Sequence, residues 1–303
     1  MKVLVTGASG MLGTDVVYEL LSRDISCCGT DIIPGAAERH VSAGDGDFTF
    51  RSADIRNLEE LKGLFGFFKP DAVIHCGAWR DAVSAELPEN RAEVFAVNAA
   101  ASGHIASLCA SYGSKMIYIS TDYVFDGSGK KPWRADCREL HPLNVYGMSK
   151  LEGERAVASA LNDHIIVRTA WLFGENGKNF VDTMLRLAGS GGKIGVVDDQ
   201  IGTPTFTKDL ASLLAVMACS GARGVFHAAN SGGYISRYDF AKEIFRQAGT
   251  AVQVTPVHTA DFVYDTLPRP LNGRLDLTSL TENGFSALPD WRDALSRYLK
   301  KTD

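Results

Sequence analysis

A tyrosine and a lysine four residues apart, Tyr146 and Lys150, stand in the stretch "NVYGMSKLEGE". On a helix that spacing puts both side chains on one face. A phenol with a pKa near ~10 is a poor acid or base at neutral pH, and a nearby ammonium stabilises its phenolate. Such a pair can move a proton to or from a carbonyl oxygen while a nicotinamide exchanges hydride with the carbon. Thr121 ends the upstream apolar run "KMIYIS". Its hydroxyl could hydrogen-bond the same oxygen as charge develops there, and Lys150 could also hold a cofactor ribose. A second pair of equal spacing, Tyr238 and Lys242, lies in "SRYDFAKEIFRQAG". There Tyr238, Ala241, Phe245 and Ala248 form one apolar helix stripe, so Tyr238 reads as a packed residue.

Chemistry of this kind needs a dinucleotide site. "KVLVTGASGMLGTDVVYELL" sets Gly7, Gly10 and Gly13 between a strand and a helix. Glycines there permit the tight turn, the approach of backbone to a pyrophosphate, and close helix–strand packing. The free N–H groups of the helix start then face the anion. Gly7, Ser9, Gly10, Met11 and Leu12 are therefore cofactor-site candidates. Asp31 ends the second apolar run, where a carboxylate can accept hydrogen bonds from an adenosine ribose and repel a 2′-phosphate. NAD(H) is thus favoured over NADP(H), although Arg39 and His40 could tolerate the extra phosphate. A helix-cap or turn role is the plainer reading of Asp31. Asp54 and Ile55, after the third run, could meet the adenine. Cys76, Gly77 and Ala78, after the fourth, would let the cofactor lie over the strand ends.

Short apolar runs alternate with helical stretches, the clearest at 90–112 and 145–161. That alternation predicts a Rossmann-like α/β fold with a doubly wound parallel sheet. Residues 1–174 form the expected dinucleotide-binding domain. Residues 175–303 form mainly a smaller substrate lobe, with a segment near 205–231 returning to the sheet. The 303 residues suit one large domain or two joined ones. Net charge is −5, which implies no nucleic-acid or anionic-membrane partner. No apolar run approaches the ~20 residues of a membrane span, and the N-terminus lacks a signal-peptide pattern, so a cytoplasmic location is expected. The six scattered cysteines make no CxxC pair and read as reduced thiols.

These residues together resemble the extended short-chain dehydrogenase/reductase family. "STDYVFDG" with "NVYGMSKLEGE" is similar to its dTDP-4-dehydrorhamnose reductase group, as are "VRTAWLFGENGKNFVDTML", "VVDDQIGTPTFTKDLA" and "LPRPLNGRLD". The resemblance runs along almost the whole chain. It implies reduction of the C4 ketone of a nucleotide-linked 6-deoxy-4-keto sugar, the closing step of dTDP-L-rhamnose synthesis. It makes Thr121, Tyr146 and Lys150 the catalytic trio. Asp122 and Trp171 would line the sugar site, and Gln200, Thr205 and Arg269 would lie in or beside the nucleotide-sugar cleft. Trp171 also reads as a core residue, Arg269 as a structural ion-pair residue and Asp122 as a loop cap. A homodimer is compatible with the group. Some members hold a divalent metal at a subunit contact, but no ligand cluster in the sequence commits this chain to one.

One stretch departs from the group. "CGAWRDAVSAELPENRAEVFAVN" puts Trp79 and Arg80 where the group usually has Tyr-Thr, in a loop that would overlie nicotinamide and sugar. A sugar-nucleotide dehydratase would need a second carboxylate after Thr121-Asp122, where Tyr123 stands instead. An epimerase remains compatible with Thr121 and Tyr146. A non-catalytic subunit like that regulating methionine adenosyltransferase is the reading from another class, against which "TAWLFG" and "DQIGTPT" match the reductases better.

Overall fold

The computed structural model describes residues 1–33, 47–189, 192–261 and 267–300. Arg39 and His40 lie outside the described residues.

Six strands carry the site: β1 (Lys2–Thr6), β2 (Ser26–Thr30), β3 (Phe48–Phe50), β4 (Ala72–His75), β5 (Lys115–Thr121) and β6 (His164–Thr169). With Gly224–His227 they form one seven-stranded sheet in the order Gly224–His227, β6, β5, β4, β1, β2, β3. Every pairing in it is parallel. The order reverses between β1 and β4, and ligands bind outside the carboxyl ends of strands at such a point.

The sheet is covered on both faces, which explains the near-continuous apolar strands. Successive residues of β1 serve opposite faces. Val3 and Val5 join a cluster with Val16 and Leu20 of helix Met11–Ser22 and Leu210 and Leu214 of helix Thr207–Ala218. Leu4 joins Phe65 of helix Leu58–Phe68, Ile105 of helix Ala101–Tyr112 and Val157 of helix Val145–Ala160. A third cluster, outside the sheet, gathers Phe173, Phe206, Phe240, Trp291 and Tyr298. It supports the strands Lys193–Val197 and Gln253–Val257, which pair in parallel.

The helix spanning Arg91–Tyr112 is 22 residues long and holds an 18-residue window of mean hydropathy 1.3, enough by length and composition to cross a membrane. The sequence reading found no such run. In the fold this helix packs Ile105, Ala106 and Cys109 against the sheet. Its middle, Ala96–Ala100, is a π-helical turn, a form that costs regular hydrogen bonding and tends to mark functional sites.

Candidate active site

The carboxyl ends of β1, β2, β4, β5 and β6 deliver the candidate residues to one end of the sheet. After β1, Gly7 turns at φ +66°, and a Cβ there would sit 2.6 Å from Gly77 N. A Cβ on Gly13 would sit 2.0 Å from Gly7 O. Both glycines are thus required by close backbone approach. Gly10 N-caps helix Met11–Ser22 without a side-chain cap, so the first N–H groups of that helix stay available to an anion. This cradle fits a dinucleotide pyrophosphate.

Asp31 sits after β2. Its Oδ2 accepts from Ser9 N at 3.1 Å and its Oδ1 from Ile32 N at 2.8 Å, tying β2 to the glycine loop. The Ser9 hydroxyl donates to Ile33 O at 2.7 Å. The Asp54 carboxylate is gripped by Arg56, Nη2 to Oδ2 at 2.6 Å, and this partner holds it below the usual carboxylate range. Ile55 lies under Gly77, its Cδ1 3.2 Å from where a Cβ would be.

Tyr146 and Lys150 lie on helix Val145–Ala160, whose start is fixed by the Asn144 side chain accepting from Gly147 N at 2.8 Å. Thr121, at the end of β5, accepts from Tyr123 N at 3.2 Å and donates to Asp122 Oδ1 at 3.1 Å. All three line one cavity of about 430 Å³, together with Gly7, Met11 and Cys76. Tyr238 is elsewhere: it packs against the third cluster with the Lys242 Nζ 5.0 Å from its ring centroid.

Burial dominates the electrostatics. It raises the Tyr146 pKa, against a hydrogen bond with Thr121 that lowers it. The leading cation lowering it is Arg80, rather than the Lys150 expected from the sequence. Burial also pushes Lys150 down to about 7, with Glu154 and Cys76 opposing. Glu154 is itself committed to Arg168, Nη2 to Oε2 at 2.7 Å, in a buried pair beneath the site. Burial pushes Asp122 up to about 6, against Thr121, Arg237 and Arg269.

Trp171 follows β6 at φ +50°, a left-handed conformation costly for a bulky residue. Its ring lies against Gly202, where a Cβ would come within 2.8 Å, stacks on Phe240 at 6.4 Å between centroids, and carries the Arg237 guanidinium 3.7 Å from its own centroid. Arg269 Nη1 donates to Tyr123 Oη at 2.6 Å. Arg237 and Arg269 line both the main cavity and a second one of about 270 Å³, walled by Phe180, Met184, Val197 and Gln200. Gln200 donates to Thr259 Oγ1 at 3.2 Å. Thr205 is not brought to either cavity lining. It is fully buried in a short strand paired with Leu172, where backbone pairing turns its side chain into the interior.

Two residues escaped the sequence reading. Arg237 begins helix Arg237–Gln247, which carries Tyr238 and Lys242, and its signal was hidden because Trp171, Asp122 and Arg269 reach it from distant segments. Asn98, in the π turn, clamps the main chain of the divergent loop. Its Oδ1 accepts from Trp79 N at 2.8 Å, and its Nδ2 donates to Trp79 O at 3.1 Å and Ser149 Oγ at 2.9 Å. Away from the cavity, Asp198, Asp199 and His258 bring ligand atoms within 4.8 Å of one another. The Asp199 carboxylate there already accepts from Thr259 Oγ1 at 2.6 Å.

The family described as the RmlD substrate binding domain matches residues 1–303. The chain is 37% identical over 310 residues to a dTDP-4-dehydrorhamnose reductase of Mycobacterium tuberculosis, covering 98% of this chain and 92% of that protein. It is 34% identical over 300 residues to the spore coat polysaccharide biosynthesis protein SpsK of Bacillus subtilis, covering 99% and 97%. Among solved structures, a dTDP-4-dehydrorhamnose reductase from Bacillus anthracis in complex with NADP superimposes with a TM-score of 0.85 at 32% identity, with 99% of each chain covered. With its glycine cradle and its Tyr146–Lys150 helix in place, and with relatives matched end to end, the chain belongs to the RmlD substrate binding domain family.

Proposed function

We propose that this protein reduces the C4 ketone of a dTDP-linked 6-deoxy-4-keto sugar, most closely dTDP-4-dehydro-L-rhamnose, to the alcohol. It is a nicotinamide-dependent oxidoreductase, and the cofactor, when bound, supplies the hydride. The observation that carries the reading is one cavity lined by the glycine loop and by Thr121, Tyr146 and Lys150.

Tyr146 holds the proton that passes from its Oη to the C4 oxygen as C4 gains hydride. Burial keeps this phenol protonated at neutral pH, as an acid must be. Thr121 donates to the same oxygen once turned from Asp122. Lys150, when protonated, stabilises the phenolate left behind and reaches the cofactor ribose. Trp171 and Asp122 border the sugar. Arg237 and Arg269, at the junction of the two cavities, suit the substrate diphosphate, and the apolar second cavity suits the nucleoside. Asp31 favours NADH. The reading places the protein in the cytoplasm with a small nucleotide sugar as its partner.

The test is NADH and NADPH oxidation with a dTDP-4-keto-6-deoxy sugar, with NMR of the product. Loss of absorbance with formation of the C4 alcohol is expected. Tight cofactor binding without turnover on any such sugar would instead mark a binding module.

A further inference from the structure

The loop after β4 carries Trp79 and Arg80, and the segment after β6 carries Gly177 and Lys178. These two stretches both reach the main cavity and meet beside the first residue of helix Met11–Ser22. A Cβ on Gly177 would lie 3.1 Å from Met11 Cβ and 3.6 Å from Arg80 Nη1. Gly177 thus packs on the first residue of the helix whose N-terminus faces the pyrophosphate cradle, with the Arg80 guanidinium alongside.

Arg80 and Lys178 both line the main cavity, and with Trp79 and Asp81 they line an adjoining hollow. Neither makes an ion pair or a side-chain hydrogen bond among the described residues. Asp81, the nearest carboxylate in sequence, is committed to capping a helix turn, its Oδ1 accepting from Val83 N and Ser84 N at 3.1 Å each. The hollow therefore holds two cations against one lining carboxylate, Asp81, whose Oδ1 is engaged by the helix start. The Arg80 position is built rather than loose, because Asn98 holds the main chain of Trp79 on both its N–H and its C=O. The charge of Arg80 also reaches Tyr146, which places it toward the reacting end of the cavity.

Two anions have to be accommodated in a site of this kind: the dinucleotide pyrophosphate and the substrate diphosphate. Arg237 and Arg269 stand at the junction with the second cavity. Arg80 stands beside Gly177 and Met11, and Lys178, next to Gly177 in the chain, lines the same cavity. We propose that Arg80 and Lys178 form a two-sided clamp on the pyrophosphate of the dinucleotide, held beside the glycine loop by the packing of Gly177 on Met11. The inference rests on the dinucleotide part of the proposed function and not on the identity of the sugar.

The experiment measures binding without turnover. Dissociation constants for NADH, NADPH, ADP-ribose and dTDP are determined by fluorescence and calorimetry for the wild type, Arg80→Met and Lys178→Met. Each substitution is expected to weaken NADH, NADPH and ADP-ribose by about fivefold to tenfold, a rim-charge effect, and to flatten the salt dependence of their binding. ADP-ribose carries the pyrophosphate without the nicotinamide, so equal losses locate the contact. Binding of dTDP should stay within about twofold. Lys178→Arg should restore most of the loss, because the charge is kept. Weakened dTDP with unchanged ADP-ribose would assign the pair to the substrate and overturn the clamp. Unchanged binding of all four ligands would leave the two cations as solvated surface groups and overturn it too. A protein that binds ADP-ribose in this way yet reduces no keto sugar would keep the clamp and defeat only the proposed reaction.

Discussion

The Lys150 ammonium sits 4.1 Å from the centroid of the Tyr118 ring, inside a fully buried layer between β5 and helix Val145–Ala160. The aromatic face offers partial compensation for lost water. Burial still pulls the lysine down to about 7 from 10.5. The unfolded chain then binds more protons than the fold between these two values, so stability rises with pH across that window. Lys150→Met removes the burdened charge. Thermal unfolding should show this variant more stable than the wild type near pH ~6, with the gap closing toward pH ~10. A gap that does not narrow would mean that Lys150 carries no such penalty. In the wild type, kcat/KM should decline as pH rises past about 7, because the ammonium that stabilises the phenolate is being lost.

Tyr146→Phe removes one hydroxyl and leaves the ring packed. General acid catalysis contributes about 10²–10⁴-fold, so kcat should fall by that factor while cofactor affinity and circular dichroism hold. Tyr238→Phe is the control, since it shares the spacing but lies outside the main cavity. Its kcat should stay within about threefold of the wild type. Reversed results would move the chemistry to the second pair.

Asp31 tests cofactor choice. NADH should be used at least as well as NADPH, and Asp31→Ala should improve NADPH relative to NADH. The substitution also removes the acceptor for Ser9 N, so some loss of affinity for both cofactors is expected. A hundredfold wild-type preference for NADPH, about 2.7 kcal/mol, would defeat the assignment.

Gly7→Ala tests the cradle. A methyl group would meet Gly77 N at 2.6 Å on a backbone held at φ +66°. Left-handed strain and overpacking together should cost about 2–5 kcal/mol, seen as a lowered denaturant midpoint and lost NADH binding. Gly63→Ala, on an exposed helix face with nothing within 4 Å of the new methyl, should be neutral or stabilising.

The glycine loop and the Tyr146–Lys150 pair were legible because each is a local pattern: strand, turn and helix for one, a single helical turn for the other. The parallel sheet was legible from the apolar runs, since strands covered on both faces cannot alternate. Arg237 was not, because its role comes from Asp122, Trp171 and Arg269, folded onto it from three separate segments. Thr205 was placed beside the cleft by resemblance, and its exact setting depends on a two-residue pairing with Leu172 that no local pattern announces. Arg80 stood out only as a departure, and its meaning came from Gly177 and Lys178 arriving overhead. Asp198 and His258 meet because Lys193–Val197 and Gln253–Val257 pair side by side, a long-range event.

The Asn98 side chain grips residue 79 through that residue's main-chain atoms alone. The loop is therefore anchored by a fitting that does not care which side chains it carries. Exchanging Trp79-Arg80 for Tyr-Thr should leave the Asn98 anchor intact while removing the Arg80 charge and the hydrogen bond from Trp79 Nε1 to Asp81 O. The π turn works as a socket, and the residues plugged into it become interchangeable parts through which one scaffold can be retuned for new ligands.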